Sequence, residues 1–239
     1  MDVTTQPLRR FLFLGGALAV LAALYPILGF GGFGLVLWTV TFWVVLVAAI
    51  HASSYQPRIR RIARTLGGIA LIAGVAGLLC IQFLDETHAW IFTGVDILTL
   101  AFLTFATGSV LYEVVVTPRI GVNELVGAAS AYVLLGLTFT YGYLVTQAFT
   151  SSPLLLGEGE LCGKVEGVAD AQLADYLYYS FVTLTTLGFG DLTPGLLASR
   201  VLTGVEAVIG QLFLAVLIAR LIGLHVLHAT TRAAERRYQ

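Results

Sequence analysis

The run Thr185-Thr186-Leu187-Gly188-Phe189-Gly190-Asp191 brings together residue types that can take a cation out of water. Glycine at 188 and 190 allows backbone dihedrals that a Cβ would resist, so successive carbonyls can turn toward one axis. Rings of backbone carbonyls replace an ion's hydration shell. The Thr186 hydroxyl can add an innermost ring of ligands. A Thr- and Gly-rich turn ahead of Pro194 is also an ordinary loop signal. The complete run is far more specific than a lone Gly-x-Gly, because a short amphipathic segment precedes it and apolar spans flank it.

Other chemistry finds little support. Ser180, His51 and His88 form no recognisable nucleophile constellation, and no phosphate-binding glycine loop or metal-ligand cluster occurs. Cys80 sits in an apolar run and Cys162 in a polar stretch, too few and too differently placed for a disulfide framework.

The elements that must position the run are membrane spans. Of 239 residues, 58% are hydrophobic and 11% charged, and the mean hydropathy is +0.90, which no water-exposed globular surface sustains. Crossing about 30 Å of hydrocarbon takes on the order of 20 apolar residues. Six stretches qualify: 11–30, 33–51, 66–84, 90–112, 124–148 and 198–226. The first reads as a retained helix rather than a cleaved leader, since no clean small-residue cleavage site ends it. Pro26 bends its end, and Gly29, Gly31, Gly32 and Gly34 make a tight connection to the second. Small residues from Gly67 to Gly77 give the third span a close-packing face.

Charge placement sets the orientation. Arg9 and Arg10, then Arg58, Arg60, Arg61 and Arg64, then Arg119, then Arg232, Arg236 and Arg237 fall on alternate connections, which the positive-inside bias makes cytoplasmic. Asp85 and Glu86, and Glu158, Glu160, Glu166 and Asp170, fall on the opposite side, offset by Lys164. Both termini are therefore expected inside. Between the fifth and sixth spans, 175–185 reads as a short re-entrant helix and 186–194 as an extended return. Non-helical backbone is tolerated at membrane depth only where it is buried in protein or lines a watery path.

On these residues the chain resembles the prokaryotic six-transmembrane potassium-channel family, with Leu187 for the commoner Val and Phe189 for the commoner Tyr of the filter signature. The resemblance spans roughly 124–226. It implies an all-α membrane protein, six transmembrane helices with a re-entrant pore helix, assembled as a homotetramer among membrane lipids. K⁺ would be the permeant ion, coordinated at Thr186, Leu187, Gly188 and Phe189 with Gly190 completing the filter, and no cofactor or nucleic acid is implied. Tyr178 and Tyr179 fall where many members carry paired tryptophans that brace the filter. Thr185 and Asp191 flank it, Asp191 at the outer mouth, where acidic residues raise local cation concentration. Phe189 lacks the hydroxyl with which Tyr makes a bracing bond in relatives.

Gly210 falls where the family places an inner-helix hinge, although close helix packing explains a glycine as well. Glu206 is an ionisable group in an apolar span, which marks a function or a buried partner. It either faces the cavity or hydrogen-bonds behind the filter. Asp96 poses the same question in the fourth span, and Arg220 is near enough the inner end to snorkel. His225 and His228 near the inner mouth could titrate, but interfacial histidines are usually incidental.

The expected division is a four-helix transmembrane domain at 1–120, a pore domain at 121–230 and a short cytoplasmic tail at 231–239. The first domain resembles a voltage sensor, but from Trp90 to Tyr112 there is no Lys or Arg. Steep voltage dependence is therefore not expected. No cytoplasmic ligand-binding domain is expected if the chain ends with this tail, and the composition suggests a prokaryotic inner membrane. A poorly selective cation pore and a non-conducting scaffold that keeps the pore fold are the competing readings.

Overall fold

A computed structural model describes residues 6–25, 32–52, 57–80, 89–117, 122–150, 154–156 and 169–237. Among them are seven helices and one short strand pair: α1 (Gln6–Ala23), α2 (Gly32–Ala52), α3 (Pro57–Cys80), α4 (Ala89–Val116), α5 (Val122–Ala148), β1 (Leu154–Leu156), α6 (Ala169–Leu184), β2 (Leu192–Pro194) and α7 (Leu197–Arg237). In the described residues three stretches are long and apolar enough to cross a membrane, Thr93–Val116, Val122–Ala148 and Leu197–Arg220. Phe11–Ala23 and Leu37–Ile50 are shorter apolar helices. The chain is a membrane protein with several candidate spans.

Four features depart from the expected layout. Arg58, Arg60, Arg61 and Arg64 lie inside α3 rather than in a link before it. Pro57 at the first helical position costs no intrahelical bond, and Arg is a good helix former. The short helix starts at Ala169 rather than near 175, with Asp170 in its first turn, where a negative side chain complements the helix dipole. Finally, an antiparallel ladder pairs Leu154 with Pro194, Leu155 with Thr193 and Leu156 with Leu192. No alternating pattern announces three-residue strands. Helix α7 also continues to Arg237, taking in most of the expected tail. Glu158, Glu160, Lys164, Glu166, Cys162, Arg119, Asp85 and Glu86 lie outside the described residues.

One hydrophobic core joins the first four helices to the pore segment. It contains Leu14, Leu18 and Leu21 of α1, Trp38, Phe42 and Val45 of α2, Phe102, Leu103, Val110 and Val114 of α4, Ala128, Ala131 and Leu134 of α5, and Leu177 of α6. Across α4 and α5 the hydroxyls of Thr107 and Thr138 lie 3.2 Å apart. Phe42 of α2 stacks on Tyr141 of α5 with centroids 5.4 Å apart. Ring pairs of this kind contribute roughly 0.5–1.5 kcal/mol beyond their buried area. Since α4 ends at Val116 and α5 starts at Val122, the first four helices pack on the pore segment of their own chain.

Candidate ion-conduction site

Helix α6 delivers the 185–191 run through a defined cap. The Thr186 N–H donates to the Thr183 carbonyl at 2.9 Å, and the Leu187 N–H to the Val182 carbonyl at 2.9 Å. These are the two bonds of a Schellman motif, with Thr186 in the left-handed position usually given to glycine. Its φ is +58°, the one positive φ on a non-glycine residue among the described residues. For a β-branched side chain that is a genuine outlier, costing roughly 1–2 kcal/mol. Thr is kept there against its own preference, which fits a need for its hydroxyl.

Gly188 (φ +58°) and Gly190 (φ +80°) repeat the left-handed conformation at alternate positions. Left-handed residues at 186, 188 and 190 therefore alternate with Leu187 and Phe189, whose φ is not positive. This is a backbone that can present successive carbonyls to one side and side chains to the other. Leu187 and Phe189 are 57% and 65% exposed within the single chain. They border an apolar recess of about 390 Å³ with Leu21, Trp38, Leu177 and Phe181.

The C-terminal end of the run is tied down by Tyr178, whose hydroxyl donates to Asp191 Oδ2 at 2.7 Å. Asp191 Oδ1 accepts from the Leu192 N–H at 3.0 Å. The Tyr178 bond holds the Asp191 carboxyl below its ordinary range. Beyond it, β2 is fixed by pairing with β1, and Arg200 Nε donates to the Pro194 carbonyl at 3.2 Å. Phe189 brings no hydroxyl, so Tyr178 supplies the phenolic bond to this end. Tyr178→Phe should leave the fold unchanged and make ion flux decay faster during sustained flux. Time-resolved flux at matched protein density checks this, and an unchanged decay would remove Tyr178 from the brace.

Tyr179, expected beside Tyr178 as a second brace, turns the other way. It is buried, and its hydroxyl lies 2.7 Å from Thr203 Oγ1 of α7. Consecutive residues on a helix point about 100° apart, so adjacent tyrosines serve different neighbours.

At the N-terminal end of the run, Gln211 Nε2 of α7 donates to Thr186 Oγ1 at 3.3 Å. Tyr132 of α5 donates to the Leu184 carbonyl at 3.0 Å. Gly210 sits against that same carbonyl: a Cβ there would lie 2.6 Å from Leu184 O. Helix α7 runs unbroken through Gly210, which lies at a close approach between α7 and the end of α6. Glu206 is fully buried inside the subunit, accepting from the Tyr143 hydroxyl at 2.7 Å and lying 2.5 Å from Ser180 Oγ. Arg220 donates to the Thr117 carbonyl at the end of α4. Tyr132, Tyr143, Ser180, Thr203 and Gln211 were not legible as site residues. The one sequence signal for any of them was Glu206, whose carboxyl in an apolar span demands polar partners.

Two long apolar helices, a short helix between them and an extended glycine-bearing return define the pore module of a membrane channel. Residues 133–225 match a family model described as "Ion channel". The match runs from within α5 through α6 and the 185–191 run into α7, so this part of the chain is an ion-channel domain and not an enzyme. No curated protein and no solved structure matches the chain.

Proposed function

We propose that the chain is one subunit of a homotetrameric, K⁺-selective channel that conducts passively through a filter formed by four copies of the 186–190 run. The observation that carries this reading is the alternation of left-handed backbone at Thr186, Gly188 and Gly190. Carbonyls aligned by that alternation, at Thr186, Leu187, Gly188 and Phe189, would replace the water shell of K⁺. Thr185 anchors the run to α6, and Tyr178 with Asp191 holds its mouth.

A single run supplies one quarter of a four-fold site. The exposure of Leu187 and Phe189, and of Val201, Val205, Val208, Leu212 and Val216 along α7, leaves an apolar face for neighbouring copies and lipid. The first four helices, residues 1–120, form a peripheral domain without gating charges around a pore domain at 121–230. Six spans with both termini cytoplasmic, in a prokaryotic inner membrane, complete the reading.

Purified protein in liposomes should pass K⁺ in strong preference to Na⁺, with open probability nearly flat in voltage. Equal passage of both ions would point to the non-selective pore. An absence of flux across varied pH, lipid and voltage would favour the silent scaffold. An e-fold change in open probability over a few millivolts would refute the gating part alone.

A further inference from the structure

The surroundings of Glu206 have one proton too few if its carboxyl is ionised. Ser180 Oγ carries a single hydrogen, yet it stands 2.8 Å from the Gly136 carbonyl and 2.5 Å from Glu206 Oε1. Both contacts are at hydrogen-bond length, and both opposing atoms would be acceptors. If Ser180 gave its hydrogen to a carboxylate, its oxygen would face the Gly136 carbonyl with no proton between them. The neighbouring hydroxyls are committed elsewhere: Thr140 donates to the same Gly136 carbonyl at 2.9 Å, and Tyr143, which also lies 3.3 Å from Thr203 Oγ1, faces the carboxyl. Tyr143 gives its hydrogen to Glu206 Oε2 at 2.7 Å. Thr203 gives its own to the Ser199 carbonyl at 2.7 Å, and Tyr179 meets Thr203 at 2.7 Å.

A protonated Glu206 balances the set. Its Oε1–H donates to Ser180, Ser180 donates to Gly136, and Oε2 accepts from Tyr143. The titratable side chains facing it are Tyr132 and Tyr143 on α5 and Tyr179 on α6, all phenols. Neither of its hydrogen-bond partners among the described residues is a cation. An unpaired buried charge is the costlier state.

We infer that Glu206 is held as a neutral carboxylic acid that donates to Ser180, forming an ordered chain Glu206 to Ser180 to Gly136 that pins α7 to α6 and α5 behind the 185–191 run. Ser180 lies on α6 six residues before Thr186, so the pin fixes the helix that carries the run. Glu206 is thus a positioning residue and contacts no permeant ion. The flux readout below rests on the pore reading, whereas the spectroscopic one does not.

The test is infrared difference spectroscopy on the full chain in bilayers at neutral pH, wild type against E206Q, with S180A as a second variant. The wild type should show the carbonyl stretch of a protonated carboxylic acid that E206Q removes. S180A should shift that band, because the acid proton loses its acceptor. In flux, Gln reproduces the donor and acceptor of the acid, so E206Q should stay close to wild type while E206A loses about tenfold or more. No carboxylic acid band assignable to position 206 would overturn the inference. So would E206Q as inactive as E206A with the tetramer intact. Should the wild type conduct nothing, the proposed function fails, and the band still decides the state of Glu206.

Discussion

Gly188→Ala should abolish K⁺ flux while leaving the protein folded and assembled. An added Cβ at 188 meets nothing within 4 Å in its own chain, so no clash within the chain accounts for the effect. It comes from the dihedral, since φ is +58° and an L-residue there costs roughly 1–2 kcal/mol. Repeated in the four copies of the proposed tetramer, that is roughly 4–8 kcal/mol, enough to turn the backbone toward a more favourable conformation. The carbonyl order fails with it. Gly108→Ala is the matched control: it lies in α4, has open space, and its φ is not positive. Alanine in a helix interior is favoured by about 1 kcal/mol over glycine, so the control should conduct as wild type. Liposome flux with tetramer content from gel filtration separates the outcomes. Full conduction by Gly188→Ala would mean the alternation of φ is not what aligns the pathway.

The parts of this architecture written in local sequence were legible, and those made by contact were not. The Thr185–Asp191 run carries its geometry in residue types, because glycine at 188 and 190 is what left-handed backbone asks for. The same logic fails at Thr186, where the left-handed φ is imposed by capping bonds from Thr183 and Val182. No side-chain preference predicts it. Hydropathy located the long helices but not their ends, since Arg58 to Arg64 and Asp170 are polar residues that a helix accepts readily. The β1–β2 ladder joins residues some 40 apart in sequence through three pairs, too few for an alternating signal. Glu206 declared that it needed partners but not which hydroxyls would reach it. Tyr143 is 63 positions away and Ser180 is 26.

Ties to the run come from every side of the module. Helix α5 reaches it through Tyr132, α6 through the cap at Thr186, α7 through Gln211, and the outer ladder through β2. The first four helices bind α5 through a shared core. A shift of α1 or α4 against α5 is therefore one contact removed from Leu184. Movement of these helices therefore has a mechanical route to the pore.

Gly210→Ala should lower thermal stability and K⁺ flux together, and the sign of the stability change decides between hinge and packing. If Gly210 were a hinge, alanine would favour the straight helix by about 1 kcal/mol, raising stability while altering open probability. In the structure the new Cβ would lie 2.6 Å from Leu184 O and 2.9 Å from Leu184 Cδ1. The side-chain atom can rotate away. The carbonyl cannot, because it belongs to the last turn of α6 and also accepts from Tyr132. Overpacking of this kind costs about 1–3 kcal/mol in each subunit. Relief comes from moving α7 outward or the end of α6 toward the pathway, and either displaces Thr185 and Thr186. Thermal unfolding in detergent, followed by tetramer content and by flux, reads the sign directly. A lower midpoint with reduced flux assigns Gly210 to packing against the run, whereas a higher midpoint with altered gating would make it a hinge.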